Sequence, residues 1–399
     1  MLTSQQKNSS SINSVIEKLE LPASAYEKAR KRYDDLGAWF DRDDSLVKDN
    51  NPHIFPQGSF RLGTAIRPLD ESEAYDLDLS CKLRDGITKD THTQEYLKKL
   101  VGHELNAYRA HRGIKSELEA KHRCWRLEYQ DDLSFHMDIV PCIPSDSVRK
   151  TMILEAMRKA GENEVIAGTV SQLTVSITDD RHPDFRSICE GWNISNPEGY
   201  AKWFESRMSS SQRVVLLEKA QVDDVPIYER KTPLQRVVQL LKRHRDQMVK
   251  DDPEVKPISI VITTLAARAY QGEADIADAL SNVLLKMGEY VNQDKPRVPN
   301  PVDPAEDFAD RWSMPKYSHL QLERNFWNWL RQARVDLSQI TSSDDTTMIT
   351  EQVKSKMSVD LNLSEIGRAL GISTPAIITA TPKKHEITSP AKPWSNSNK

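Results

Sequence analysis

Two aspartates two positions apart, Asp76 and Asp78, could together bind a divalent cation. Residues 75–80 alternate polar and apolar side chains, which predicts a strand, and residues two apart on a strand point to the same face. Two neighbouring carboxylates repel each other, and a divalent cation relieves that repulsion. Asp41 and Asp43 have the same spacing but lie in an all-polar stretch, which indicates a solvated turn. A solvated pair is also the alternative for Asp76 and Asp78.

A third aspartate, Asp138, lies in the run Phe135-His-Met-Asp-Ile-Val140, whose apolar and β-prone residues predict a second strand. A carboxylate in such a strand is costly unless it is paired or bound to a metal. Taken alone, a hydrogen-bonded structural aspartate is the simpler interpretation. Together with Asp76 and Asp78, it makes three strand carboxylates, which suit a two-metal site for phosphoryl transfer.

A Gln57-Gly58-Ser59 turn precedes these carboxylates in the chain. Glycine lets the backbone approach a phosphate closely, and the following serine offers both an N–H and a hydroxyl. Gly-Ser pairs are common in chains of this length, so the turn gains weight only beside the three aspartates.

The elements that must position these residues follow from the spacing of apolar side chains, since steps of three and four predict helices and alternation predicts strands. Thr232 and Pro233 are of the types preferred at an N-cap and at the first helical position. The predicted elements are helices over residues 12–40, 94–112, 146–160, 232–248, 275–291 and 317–337 and one beginning at Pro257, strands at 75–80 and 173–177, and a hairpin of 124–129 with 135–140 joined at Asp131-Asp132.

The chain therefore divides into a mixed α/β front half and a helical back half, and its 399 residues fit two or three domains. We expect N-terminal helices packing on the core over residues 1–45, the site-bearing core over 46–227 and a helical domain over 228–372. Residues 373–399 are rich in Ser, Thr and Pro without periodicity, which predicts a mobile tail.

Composition excludes several classes of protein. The chain has no run of 18 apolar residues and a polar N-terminus, so neither a membrane helix nor a signal peptide is expected. Its four cysteines form no C-x-x-C pair, which argues against a disulfide framework or a zinc ribbon and favours the cytosol. The net charge of −4 argues against a general nucleic-acid binder.

Read together, the motifs resemble those of DNA-polymerase-β-type nucleotidyltransferases. More narrowly, they resemble the bacterial cyclic-oligonucleotide synthases (CD-NTases) related to cyclic GMP–AMP synthase and oligoadenylate synthase. The similarity runs from about residue 50 to 330. The segments that carry it are Gln57-Gly-Ser-Phe-Arg-Leu-Gly-Thr64, Tyr75-Asp-Leu-Asp-Leu-Ser80, His136-Met-Asp-Ile-Val-Pro141, Tyr228-Glu-Arg-Lys-Thr-Pro-Leu-Gln-Arg236, Leu240-Leu-Lys-Arg-His244 and Asn300-Pro-Val-Asp-Pro-Ala-Glu-Asp307.

The resemblance implies an α+β fold: a two-lobed core with a mixed sheet, followed by a C-terminal helical bundle. It implies synthesis of a cyclic di- or trinucleotide messenger from ATP, with GTP as an optional second substrate, and release of pyrophosphate. It further implies anti-phage signalling through a downstream effector that binds the product. We expect a monomer without a stable nucleic-acid partner. The alternatives are a linear nucleotide polymerase or adenylyltransferase, and a catalytically inactive nucleotide sensor.

The same resemblance assigns roles to residues. Asp76 and Asp78 would bind two Mg²⁺ ions, for which Mn²⁺ can substitute. Asp138 would bind the catalytic metal and help to deprotonate the attacking ribose hydroxyl. The implied nucleotide ligands are Gln57, Gly58, Ser59, Lys242 and Ser259.

Lys242 and Ser259 have physical support as ligands of the far end of the triphosphate. Lys242 flanks the apolar stripe of its helix, from which a long side chain can reach a cleft. Ser259 follows Pro257 in a first helical turn, where free N–H groups attract anions. An ordinary solvated lysine is the alternative for Lys242. Ile260 stands where animal relatives often carry a base-stacking aromatic residue, and the zinc-binding insert of the animal DNA sensor is missing.

Overall fold

The computed structural model describes residues 4–70, 73–130, 134–208, 231–343 and 345–369. The predicted Asp131-Asp132 turn, the start of the motif at Tyr228 and the predicted tail lie outside these ranges. The strands are β1 Pro52–Gln57, β2 Tyr75–Leu83, β3 Glu119–Ala120, β4 Trp125–Tyr129, β5 Phe135–Pro144, β6 Val175–Ile177, β7 Asn193–Ser195, β8 Pro299–Asn300 and β9 Asp303–Asp307.

The main sheet is mixed, and its register brings the two predicted aspartate strands together. Its order is β1-β2-β5-β4-β3, with β6 pairing to β5 and β7 to β6. Strands β2 and β5 are parallel, whereas the other pairs are antiparallel. The predicted hairpin is confirmed as β4 and β5.

Helices surround the sheet and build the C-terminal half. Thr232 and Gln235 form a capping box at the start of the helix Pro233–Met248 (α8), whose first residue is Pro233, as the sequence predicts. The helices are α1 Ser4–Leu19, α2 Ala23–Phe40, α3 Gly58–Arg61, α4 Gln94–His111, α5 Ser147–Lys159, α6 Glu164–Gln172, α7 Pro197–Arg207, α8 Pro233–Met248, α9 Ser259–Ala269, α10 Ile276–Lys286, α11 Leu322–Ser342, α12 Thr346–Met357 and α13 Leu363–Ala369.

Two large apolar clusters form the core. One joins α2 and α4 to the sheet, with Leu36 of α2 and Leu77 of β2 fully buried in it. The other joins α1 to α8–α13, with Val15 and Leu241 buried. The α+β class and the helical C-terminal region are thus confirmed, while the domain limits stay predictions.

The sequence prediction differs from the structure at several element boundaries. Residues 12–40 form two helices, because Pro22 is extended (φ −62°, ψ 146°) and cannot donate a helical hydrogen bond. The helix predicted over 317–337 begins only at Leu322, after a 3₁₀ turn at Pro315–Leu320. Short α6, α7, α12 and α13 and the β8–β9 hairpin were not predicted. None of the helices in the described ranges has the length and hydropathy of a membrane span.

Candidate active site

The three predicted aspartates lie on one face of the sheet. Asp78 on β2 pairs in register with Asp138 on β5, and Asp76 pairs with His136. Leu77 and Leu79 alternate with the aspartates and are fully buried on the other face. The strand and its two faces are therefore as the sequence predicts.

Crowding of negative charge is strongest at Asp78. Burial, followed by the charges of Asp138 and Asp76, raises the pKa of Asp78 to about 7, although Arg126 and Lys242 act in the opposite direction. A cation held between these carboxylates would reverse that shift. Their oxygen atoms are the ligands that Mg²⁺ and Mn²⁺ prefer, so the donor set fits the predicted metals.

Asp138 has a cationic partner that the sequence analysis missed. Arg126 lies opposite Asp138 in the β4–β5 register, and its Nε and Nη2 donate to the two carboxylate oxygens at 2.7 and 2.8 Å. These bonds raise the pKa of the Arg126 guanidinium further, so it stays charged. Asp138 is thus a paired aspartate on the same face as the others. The sequence predicted the hairpin, but only its exact register shows that Arg126 lies opposite Asp138.

His136 connects two carboxylates on the same face. Its Nδ1 lies 3.5 Å from Asp76 Oδ1, and its Nε2 lies 3.8 Å from Glu128 Oε1. The imidazole therefore lies on the same face of the sheet as the three aspartates. The only sequence signal for a role of His136 is its position two residues before Asp138, on the same predicted strand.

The Gln-Gly-Ser turn packs directly against Asp78. Gly58 begins α3 with a φ of +65°, and a Cβ there would lie 2.1 Å from Asp78 Oδ2. Glycine is required for both reasons. The Gln57 carboxamide instead bonds to β2: its Nε2 donates to Leu79 O at 3.3 Å and its Oε1 accepts from Ser80 Oγ at 3.1 Å. Gln57 thus holds the turn against the strand.

Lys242 is buried rather than solvated, so the alternative proposed from its sequence is wrong. Only 7 % of the residue is exposed, and its Nζ donates to Thr64 O at 2.9 Å. Burial, followed by the nearby charge of Arg245, lowers the pKa of Lys242 to about 7. It lines the larger cavity described below, together with Ser59 and Asp76.

Ser259 begins α9 as predicted, but its hydroxyl is already engaged. Ser259 Oγ accepts a hydrogen bond from Arg245 Nη1 at 2.9 Å, and the same nitrogen donates to Pro257 O. The serine lines neither of the two cavities described below.

Two cavities flank α3 and the aspartate strand. The larger, about 500 Å³, contains several basic side chains, and the smaller, about 260 Å³, is lined mainly by apolar and amide-bearing residues. Glu306 lines the smaller cavity and accepts from Asn300 Nδ2 at 2.7 Å, and burial raises the pKa of its carboxyl. The larger cavity includes Ser59, four basic residues (Arg67, Lys242, Lys250 and Lys256) and four acidic residues (Asp70, Glu73, Asp76 and Asp246); the smaller includes Gly58, Asp78, Tyr200, Ile260, Asn300, Glu306 and Phe308.

Comparison with known proteins points to one group of enzymes. Residues 52–141 match the family model for the nucleotidyltransferase domain of DncV-like cyclic GMP-AMP synthases. A c-di-GMP synthase of Roseivirga ehrenbergii is 29% identical over 303 residues, which cover 74% of this chain and 70% of that protein. The cyclic dinucleotide synthase CdnG of Bradyrhizobium diazoefficiens is 23% identical over 318 residues, or 74% of this chain and 67% of that one.

Solved structures share the whole fold. The CD-NTase CdnG of B. diazoefficiens in complex with GTP superposes with a TM-score of 0.61 and 19% identity, covering 91% of this chain and 98% of that one. A mutant of the Vibrio cholerae di-nucleotide cyclase DncV with ATP and GTP has a TM-score of 0.56 and 14% identity, covering 90% and 97%. The domain match, the curated relatives and the fold agree in supporting a CD-NTase, a nucleotidyltransferase similar to the cyclic dinucleotide synthases.

Proposed function

We propose that this enzyme makes a cyclic di- or trinucleotide messenger from ATP, with GTP as an optional second substrate. The observation that carries the proposal is the register of β2 with β5, which sets Asp78 beside Asp138 with Asp76 on the same face. In each step a ribose hydroxyl attacks an α-phosphate, a phosphodiester bond forms, pyrophosphate leaves and the hydroxyl proton is released. The last such step closes the ring.

The carboxylates have distinct parts in this proposal. Asp76 and Asp78 would hold two Mg²⁺ ions, or Mn²⁺ in their place, which when bound neutralise the triphosphate and acidify the attacking hydroxyl. Asp138 would accept the proton of that hydroxyl and contribute to the catalytic metal site. Arg126 fixes both oxygens of Asp138, so the carboxylate has a defined orientation before substrate arrives.

The two cavities suit the two ends of a nucleotide. We assign the triphosphate to the larger cavity because Ser59 and four basic side chains line it, while bound metal ions would offset its four carboxylates. Gly58 lets the turn approach Asp78 closely. Ser259 lines neither cavity and bonds to Arg245, while the next residue of α9, Ile260, lines the smaller cavity. Ser259 and Gln57 remain proposed nucleotide ligands, Gln57 through its place in the turn.

The smaller cavity suits a base. Tyr200 and Phe308 lie edge to face with ring centroids 6.0 Å apart, which supplies aromatic surface close to Ile260. The Glu306 carboxylate can accept hydrogen bonds from the N1–H and amino group of guanine. The names of the relatives, a c-di-GMP synthase and a GTP complex of CdnG, also support GTP as a substrate.

The cellular role belongs to the same proposal. A cyclic product read by a downstream effector in anti-phage defence is what the family resemblance implies, together with a cytosolic monomer that needs no stable nucleic-acid partner.

The test is product analysis with purified protein, Mg²⁺ and ATP or GTP, singly and together. We expect pyrophosphate and a phosphatase-resistant product whose mass equals that of two or three nucleoside monophosphates minus the same number of water molecules. A phosphatase-sensitive product would instead establish the linear polymerase or adenylyltransferase. Nucleotide binding without pyrophosphate release would establish the inactive sensor.

A further inference from the structure

A second group of metal-ligating side chains lies in the connection between β6 and β7, residues 178–192. His182, Asp184 and Cys189 each offer one ligand atom, and these atoms all lie within 4.8 Å of one another. His182 and Cys189 are half-buried and Asp184 is exposed. None of the three lines either cavity of the candidate active site.

The carboxylate of Asp184 is available within this group. Asp179 and Asp180, the other aspartates of the connection, are held by cations: Asp179 by Arg123 and Arg181, and Asp180 by Lys98 and His122. Among the described residues, no basic side chain lies within ion-pair distance of Asp184. A metal ion would supply the positive partner that the neighbouring aspartates already have.

The chemistry of the donors selects the ion. Thiolate and imidazole ligands favour Zn²⁺, whereas Mg²⁺ prefers oxygen atoms alone. We propose that His182, Asp184 and Cys189 bind one Zn²⁺ ion, with water in the fourth position. The absence of a C-x-x-C pair argues against a zinc ribbon but not against a mixed site of this kind.

The backbone already folds the three ligands around one point. Asp184 N donates to His182 Nδ1 at 3.1 Å, and Cys189 Sγ lies 4.0 Å from Asp184 O. Zn²⁺ would take the Nδ1 lone pair in place of the amide proton and would bind the deprotonated thiol. Binding therefore displaces one ordinary hydrogen bond and releases the thiol proton.

The position of the site suggests what the ion does. Phe185 O accepts from Glu95 N at 3.0 Å, which docks the connection on the start of α4. The chain then continues through β7 to Asn196 and Tyr200, which line the smaller cavity. Zn²⁺ at this point would fix the segment that leads into the wall of the base cavity.

The experiment uses the full chain, freed of metal with a chelator and titrated with Co²⁺ as a spectroscopic substitute for Zn²⁺. We expect one equivalent of Co²⁺ to give a thiolate charge-transfer band in the near ultraviolet, which Zn²⁺ then removes. Cys189→Ser should abolish the band, and His182→Ala and Asp184→Asn should each weaken Co²⁺ binding about tenfold or more.

Two control variants locate the band. Cys124→Ser removes the other half-buried thiol, and the double variant Asp76→Asn with Asp78→Asn removes the proposed Mg²⁺ ligands; both should keep the band. No band in the wild-type protein, or a band that survives in Cys189→Ser, would overturn the zinc site. The titration uses no nucleotide, so its outcome is independent of the proposed synthase activity.

Discussion

The candidate site has a sheet side, with the carboxylates of Asp76, Asp78 and Asp138, and a helical side, with the buried ammonium group of Lys242. On the sheet side, burial and neighbouring carboxylates raise the pKa of Asp78 to about 7. On the helical side, burial and Arg245 lower the pKa of Lys242 to about 7. Each side is thus driven toward its neutral form, mainly by burial. The proposed metal-bound triphosphate would bring a cation to the first side and an anion to the second, so one ligand would stabilise the charged form of both.

Removal of the sheet side's charge should have the largest effect. We expect Asp76→Asn with Asp78→Asn to reduce turnover by about 1,000-fold or more, because the oxygen ligands for the metals are lost. Thermal stability without metal should hold or rise slightly, since repulsion is relieved. Pyrophosphate release and thermal melting in the presence of chelator measure the two effects. Asp41→Asn with Asp43→Asn is the matched control, and full activity in the first pair would disprove the assignment.

The next largest effect concerns Arg126, the cation that pairs with Asp138. Arg126→Ala leaves Asp138 without the partner that fixes both its oxygens, so kcat should fall about 10- to 100-fold. The KM for nucleotide should change little, because Arg126 bonds to Asp138 but lines neither cavity. Steady-state kinetics separate the two constants. Glu128→Gln on the same strand is the control. If Arg126→Ala keeps the wild-type kcat, the Arg126–Asp138 ion pair has only a structural role.

The helical side should act mainly on binding. Lys242→Met should raise the KM for ATP about tenfold with a smaller fall in kcat, since the ammonium holds phosphate in ground and transition states alike. The wild-type KM should also rise as pH increases through 7, because Lys242 then loses its proton. The variant should lack this rise. Lys159→Met, which is exposed and lines neither cavity, is the control. An unchanged KM in Lys242→Met would remove Lys242 from the nucleotide site.

The raised pKa of Asp78 also predicts a pH dependence of stability in metal-free protein. Between its usual pKa of 3.8 and about 7, Asp78 binds more protons in the folded state than in the unfolded state. The free energy of unfolding should therefore fall as pH rises through this window. Chemical denaturation of the wild type and of Asp78→Asn, both with chelator, measures the slopes. Equal slopes would show that Asp78 is not shifted in this way.

The sheet side could be predicted from sequence to a large extent, and the helical side in part, through the family resemblance that names Lys242 and Ser259, but the base cavity could not. The alternation of polar and apolar residues around Asp76, Asp78 and Asp138 predicts both the strands and the face on which the carboxylates lie. Their placement could therefore be predicted without knowledge of the tertiary structure. Arg126 was missed because its partner depends on the exact register of a hairpin. Phe308 and Glu306 were missed because they lie on or just after a short, Pro- and Asp-rich hairpin that lacks alternation. Their place near Gly58 depends on how the two halves pack.

The smallest effect is expected at the C-terminus. Residues 373–399 lie outside the described ranges, and their Ser, Thr and Pro content with few large apolar groups predicts a segment that gains too little burial to offset its ordering entropy. Truncation after Ile372 should change product formation in vitro by no more than about twofold, because every proposed ligand precedes it. Mass spectrometry of product from the truncated enzyme tests this. An enzyme that still binds ATP but accumulates linear product would show that the tail completes the sheet side's chemistry at ring closure.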